Sequence, residues 1–395
     1  MGLGYSSRMQ WPRVAVEQDR SFTPPFCPRS TCAQHRGAGP NGFRFRHHGT
    51  YTTRRRGPIP RFVCLTCRRT FSRQSFATSY YLKRPELLVP VAAALLAGSA
   101  HRQIARSIHC APSTVTRLSA RLGRHCLLLL ARGLRHTEGR LDESLVIDHF
   151  ETFEFTQDFP FGVATAVGTQ SWFVYALEPA PHRRTGRRSP AQHKRLLSRP
   201  RRAFRGGYYG STWRLVNTVL PLAAHGKLLH LVGDGHPAYA RIARRHHQAS
   251  RLRLKSYPNP ARGPRGSPRS HYARARDQAM FPVDLLHALL RHSLAHHRRE
   301  TIAFGRRLNA IMERLFVAAV WRNFVKARSE RKPDPTTPAM SINLTDRAWS
   351  WRRVLGRRLF PQQETVPPVW QELYARLWDN PLLSHNTRHA RVLAY

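Results

Sequence analysis

The chain has 395 residues, 66 of them Lys or Arg and only 22 Asp or Glu, for a formal net charge of +44. Such an excess excludes a basic partner and favours a polyanion, because basic side chains release the counterions condensed on nucleic acid. Codon bias in a GC-rich genome inflates Arg but does not explain the shortage of acids, and a hydrophobic share of 41% suffices for two or three domains.

Residues 1–25 read as a loose leader lacking the apolar stretch of a secretory signal. Residues 26–76 are rich in Cys, Arg and Gly, with short β-like pieces such as RFVCL. CPRSTC supplies Cys27 and Cys32, and RFVCLTC supplies Cys64 and Cys67. Two close pairs of this kind suit one tetrahedral Zn²⁺ held by four thiolates, and the metal would add folding energy that so small a module lacks. The wider gap in CPRSTC leaves His35 as an alternative to Cys32, and four thiols that merely pack are the plainer reading. Cys110 and Cys126 fall in the next, helical region as apolar thiols. Six cysteines in a chain of this length do not make a disulfide scaffold, so a reducing, cytoplasmic compartment is expected.

Over residues 80–136 apolar side chains recur at helical spacing. The run LLVPVAAALLAG is too short to span a bilayer, so no membrane partner is expected. HRQIARSIHCAPSTVTRLSARLG, 101–123, has the form of a helix-turn-helix. Ile104, Ala105 and Ile108 line one helix, the chain breaks at His109 to Ala111, and Pro112 suits the first turn of a second helix. Val115, Leu118 and Leu122 face inward. Ser113, Thr114, Thr116, Arg117 and Arg121 are then left outside, where they can read base edges and phosphates. A plain helical hairpin is the alternative.

From residue 141 the period shortens to two, and SLVIDHFETFEF, FGVATAVG and SWFVYALEP read as strands. A basic insertion at 181–207 follows, then a helix (WRLVNTVLPLAAHG), a strand (KLLHLVG), a helix (AYARIARRHHQ) and a strand (RLRLKSY). A second basic loop, 258–276, precedes a helical tract expected from about 282 to 328, and residues 329–395 form a tail of short helices. The order β-β-β-α-β-α-β-α predicts an α/β fold with a mixed sheet and helices on its faces.

The acids in this region are few. Asp234, in LLHLVGDGHPAY, is the only one between Glu178 and Asp277, a span holding 23 Lys and Arg. Asp148 lies inside the first strand, and parallel neighbouring strands would bring the two acids to one sheet edge. The third candidate is Asp284, at the start of the expected helix FPVDLLHALLRH, with Glu300 and Glu313 competing. Clustered carboxylates raise one another's pKa, and divalent ions remove that cost. Two Mg²⁺ ions about 4 Å apart would stabilise the attacking and leaving oxygens of a phosphoryl displacement. Against this stand ordinary structural roles: Asp234 as a cap or turn residue, and Asp284 matched to a helix dipole. His292, His296 and His297 are expected on a solvated helix face. The basic segments 183–207 and 262–276, edged by Tyr208, Tyr209 and Tyr272, are expected to grip phosphates.

Taken in order, the zinc ribbon, the helix-turn-helix, VIDHFETF, VGDGHPAY and FPVDLLHALLRH…RRETIAF resemble bacterial insertion-sequence transposases, over roughly residues 26–328. Asp234 matches that family's second acid, and Asp148 the first, with VID-x-F in place of Asp-Glu-x-Trp. Asp284 stands twenty residues before Phe304 (304 − 284), the spacing expected from the third acid to an RK(S/T)-x-x-F-like element. Glu300 would keep the usual residue type but shift that spacing. The resemblance implies a ribonuclease-H-like core with a DDE/DDD triad at 141–328 and Mg²⁺ or Mn²⁺ at the acids. It also implies double-stranded DNA as partner, with a homodimer or larger assembly on the element's ends. The chemistry implied is hydrolytic nicking followed by attack of the freed 3′-hydroxyl on target DNA, with no protein nucleophile. The rival readings are a DNA-binding regulator with an inert core and a cationic nucleic-acid coat.

Overall fold

A computed structural model of the chain describes residues 22–37, 42–54, 56–183, 186–197, 205–261, 263–264, 266–298, 301–330 and 332–378. At the N-terminal side, β1 (Phe45–Thr53), β2 (Gly57–Cys64) and β3 (Thr70–Ser72) form an antiparallel sheet in that order. This sheet is too small for a deep core, and aromatic stacking substitutes for one. Phe62 and Phe71 lie 5.6 Å apart, and Phe26 packs edge-on against Phe76 and Phe360.

Three helices follow: α1 (Leu88–Leu96), α2 (His101–Ser107) and α3 (Pro112–Thr137). Next come β4 (Leu145–Phe153), β5 (Pro160–Gly168), β6 (Val174–Pro181), α4 (Pro190–Leu197), α5 (Gly207–Val219), β7 (Leu229–Gly233), α6 (Pro237–Arg245) and β8 (Leu252–Ser256). Two longer helices, α7 (His271–Ser293) and α8 (Leu308–Val320), precede three short ones: α9 (Pro338–Ser341), α10 (Trp351–Val354) and α11 (Pro368–Ala375).

The five strands β4–β8 make one mixed sheet in the order β6-β5-β4-β7-β8, as the α/β expectation required. β4 pairs antiparallel with β5 and parallel with β7, while β8 extends the parallel side. Side chains alternate between faces along a strand. His149 reaches Ser211 on α5, and its neighbour Asp148 faces His287 on α7, so helices cover both faces. The edge strand β6 is closed by Asn323, whose side-chain amide exchanges two hydrogen bonds with the backbone of Val174 at 2.8 and 3.0 Å.

Three boundaries depart from the sequence-based expectation. The helical tract expected from about 282 begins at His271, passes through Pro282 and breaks after Ser293. A helix interior normally rejects proline, but burial of Val283, Leu286 and Leu290 below it holds the helix together. The last residues of the second basic loop therefore belong to α7. α5 starts at Gly207, six residues ahead of the expected Trp213. The tail is not peripheral: Trp349, Trp370 and Trp378 are fully buried in the core shared by the helices and the sheet. Gln363 of the same segment donates to the His35 carbonyl at 2.6 Å, tying the cysteine-bearing module to the body.

α3 is the central rod. Its first turns are largely exposed, yet from Leu118 to Ala131 every residue is buried. Gly123 makes this possible, since a Cβ there would lie 2.4 Å from the Cβ of Glu313 on α8. Among the described residues, no helix is long and apolar enough to cross a membrane.

Candidate functional site

The cysteine cluster is built from two turns. Cys27 and Cys32 bracket a tight loop closed by the Cys32 amide donating to the Arg29 carbonyl at 3.0 Å. Cys64 ends β2, and Cys67 follows in a turn closed by Arg68, whose φ is +56°. The four sulfurs all lie within 4.8 Å of one another, and no other trio of His, Cys, Asp or Glu ligand atoms is as tight among the described residues. Cys27 and Cys67 are 3.8 Å apart, as are Cys32 and Cys64. Burial pushes the Cys27 and Cys32 thiols up. At Cys64 burial acts in the same sense, but the Cys67 and Thr66 amides and neighbouring thiols bring the net pKa below the ordinary value. Four such sulfurs could hold one metal ion. His35 does not replace Cys32: its Nδ1 lies 2.7 Å from the Cys27 carbonyl, and its ring sits between Phe26 and Phe360. Cys126 is buried, its thiol pushed up by burial, whereas Cys110 is only partly covered.

The acids gather at one end of the sheet. In the parallel β4–β7 pair Ile147 stands opposite Gly233, so Asp148 and Asp234 follow side by side on strands about 4.8 Å apart. Gly235 turns the chain after β7 with φ +88°, where a Cβ would strike Pro258 at 2.9 Å. Asp234 accepts from the His236 amide at 3.0 Å, while the cap of α6 is His236 itself, whose Nδ1 accepts from the Ala238 amide. Asp234 thus shapes the turn but does not cap the helix.

Asp148 is pushed up to about 7, first by burial, then by the charge of Asp234, with Asp284 adding and the His149 amide and Arg276 opposing. Asp284 belongs to the same field although it lies mid-helix, thirteen residues past the start of α7 (284 − 271), so a helix-dipole role is excluded. Arg276 pairs with it at 2.6 Å. Glu300 lies outside the described residues. Glu313 cannot compete: it is buried and held by Arg376 in two bonds of 2.7 Å.

Around the acids stand residues to which the sequence reasoning gave no part in this cluster. His287 Nδ1 is 3.6 Å from Asp148 Oδ2, and its Nε2 is 3.0 Å from the Thr165 hydroxyl. Burial and the nearby Arg291 lower its pKa to about 3, so the ring is neutral. Tyr239 approaches Asp148 at 3.5 Å and His149 Nδ1 at 2.8 Å. Tyr208, at the edge of the first basic segment, donates to Glu151, and its pKa is pushed up by burial, Glu151, Asp148 and Asp234. The i, i+3 spacing of Asp284 and His287 was readable in advance as a shared helix face.

The DNA-reading set is partly corrected. Ser113 and Arg117 are exposed and Thr114 is half-buried at the open end of α3. Thr116 is half-buried too, 3.1 Å from His101 Nδ1. Arg121 is buried and donates to the Thr78 and Tyr80 carbonyls at 2.8 and 2.7 Å, so it cannot face DNA. The reason is local: α3 is enclosed on every side from Leu118 to Ala131, and polar side chains there must satisfy neighbouring backbone. The histidines are corrected likewise. His292 is exposed, but His296 and His297 lie buried in a turn beyond the helix end, against Arg314 and Thr152. Among the phosphate-gripping tyrosines, Tyr272 is exposed and donates to the Pro258 carbonyl at 2.9 Å. Residues 184–185, 198–204, 262 and 265 of the two basic segments lie outside the described residues.

No family model matches the chain, and no curated protein is significantly similar to it.

Proposed function

We propose that the protein is a divalent-metal-dependent DNA transposase that cuts at element ends and joins them to target DNA. The observation that carries this reading is the placement of Asp148 on β4 beside Asp234, which directly follows the parallel neighbour β7. The elevated Asp148 carboxyl, caused in part by Asp234 and Asp284, supports it, since such a set of acids is relieved by bound cations. The strand order of three antiparallel members followed by two parallel ones supports a ribonuclease-H-like core. Mg²⁺ or Mn²⁺ at this edge would stabilise charge on the attacking and leaving oxygens of a phosphodiester. The chain's own contribution is positional: β4 and β7 fix two carboxylates in register, α7 presents the third, and Arg276 balances it when no ligand is bound.

The four cysteines fit structural Zn²⁺. A Zn–S bond of about 2.3 Å in a tetrahedron implies sulfurs about 3.8 Å apart, and two of the pairs stand at 3.8 Å, with all four within 4.8 Å of one another. The zinc module and the open end of α3, with Ser113, Thr114 and Arg117, would hold double-stranded DNA, consistent with the +44 charge. Synapsis of two ends would call for a homodimer or larger assembly, and the setting would be the bacterial cytoplasm.

The ion pair of Arg276 with Asp284 favours one rival, a DNA-binding regulator whose third acid is paired with an arginine in place of a metal. A single experiment separates the two. Asp234→Asn should lower Mg²⁺-dependent cleavage of end-bearing duplex by roughly a thousandfold while end binding stays within about twofold. Wild-type protein that binds the ends but never cuts with Mg²⁺ or Mn²⁺ would establish the regulator instead.

A further inference from the structure

His287 projects from α7 one turn beyond Asp284 and packs its ring 5.3 Å from Phe150, on the face of β4 that also carries Asp148. Its Nε2 meets the Thr165 hydroxyl at 3.0 Å, and that hydroxyl also donates to the Asp148 carbonyl at 3.0 Å. A threonine has one hydroxyl proton. With that proton committed to the carbonyl, Nε2 is the ring's own donor and Nδ1 carries a lone pair. Nδ1 and Asp148 Oδ2 then face each other as two acceptors across 3.6 Å, beyond hydrogen-bond range. Such a facing pair is repulsive unless a proton on the carboxyl or a bound cation lies between, and Nδ1 has its lone pair turned toward that space. An Asp-His-Thr relay toward a nucleophilic hydroxyl is excluded by access, because Thr165 is fully buried.

We propose that His287 supplies a nitrogen ligand to the divalent ion held by Asp148, so that the cation seat is mixed oxygen and nitrogen. This rests on the metal-dependent reading above and adds a preference to it. Among transition ions Mn²⁺ binds imidazole least strongly, but it still accepts a nitrogen ligand more readily than Mg²⁺, which keeps to oxygen and water. The seat therefore selects Mn²⁺ over Mg²⁺ more strongly than carboxylates alone would.

The test uses the full-length, zinc-loaded protein titrated with Mn²⁺ in the absence of DNA, with the bound ion followed by electron spin echo. The expected spectrum shows modulation from one imidazole nitrogen, lost in both His287→Gln and Asp148→Asn. Mn²⁺ affinity should fall at least roughly tenfold in His287→Gln, and Mg²⁺ affinity by clearly less. Mn²⁺ binding that needs Asp148 and Asp234 but shows no nitrogen modulation in the wild type would overturn the assignment, and that spectrum depends on no variant folding. Modulation that persists in His287→Gln would overturn it as well. If the wild type binds no Mn²⁺ at all, the metal-dependent reading falls with it, an outcome distinct from the other two.

Discussion

The cysteine module and the acid-lined sheet edge both gather groups suited to a metal, yet they are assembled in opposite ways. In the module, ligands come from two short turns, the sulfurs already stand 3.8 Å apart in pairs, and three of the four residues are buried. At the sheet edge the acids come from β4, the turn after β7 and α7, and one is matched to Arg276. A closed set of soft ligands serves structure, whereas an open, partly balanced set of hard ligands leaves room for a substrate. With the proposed zinc, the module would depend on its ion for order. The sheet edge depends on the sheet.

That contrast can be tested most severely by stripping metal. Binding free energy on the order of 10 kcal/mol couples structural zinc to folding, so chelation or Cys64→Ser should unfold β1–β3. Amide exchange over Phe45–Ser72 should become fast while β4–β7 stay protected by their metal-free core. Equal protection of both regions after chelation would erase the distinction.

A smaller effect concerns pH. The Asp148 and Glu178 carboxyls are both raised to about 7 in the folded chain, each chiefly by burial. The folded state therefore binds these protons more tightly than the unfolded one. Stability is fullest below the ordinary carboxylate range and is lost as pH rises toward about 7. For Asp148 the loss should be roughly 4 kcal/mol, and urea titrations of the metal-free protein between about pH 4 and 7 should show it. Asp148→Asn should flatten that part of the curve, leaving the share due to Glu178; an unchanged slope would mean that the carboxylate is solvated.

The smallest effect is expected at Arg276. Arg276→Gln removes the cation that competes for Asp284 and should tighten Mn²⁺ binding by a few-fold, under about 1 kcal/mol, in calorimetry without DNA. Weaker binding would show that Arg276 orients Asp284 and does not compete for it.

The module was legible because its ligands are local, and a pair of turns spaced along the chain is nearly the whole description. Asp148 and Asp234 were legible through context, a strand interior and a Gly-Asp-Gly turn, although their pairing depends on β4 and β7 being parallel neighbours. Pro282 misled the placement of α7, since proline favours a helix start and only the buried Val283, Leu286 and Leu290 reveal that the helix passes through it. Arg121 misled for a related reason. Periodicity separates polar from apolar positions, but it cannot tell that a helix will be enclosed on all sides, where an arginine is used to satisfy the carbonyls of Thr78 and Tyr80. The buried tryptophans beyond residue 329 left no periodic trace, because short helices around prolines carry too few turns to show one.

The 26 residues of α3 form a rod about 39 Å long, open at its first turns and clamped against α8 at Gly123. Whatever the open end touches is thereby joined through one continuous helix to α8. Duplex seated there would present its backbone to the sheet edge at one helical phase. If the protein grips and cuts DNA as proposed, lengthening the duplex between grip and cut by about five base pairs, half a turn, would carry the bond to the far side of the double helix.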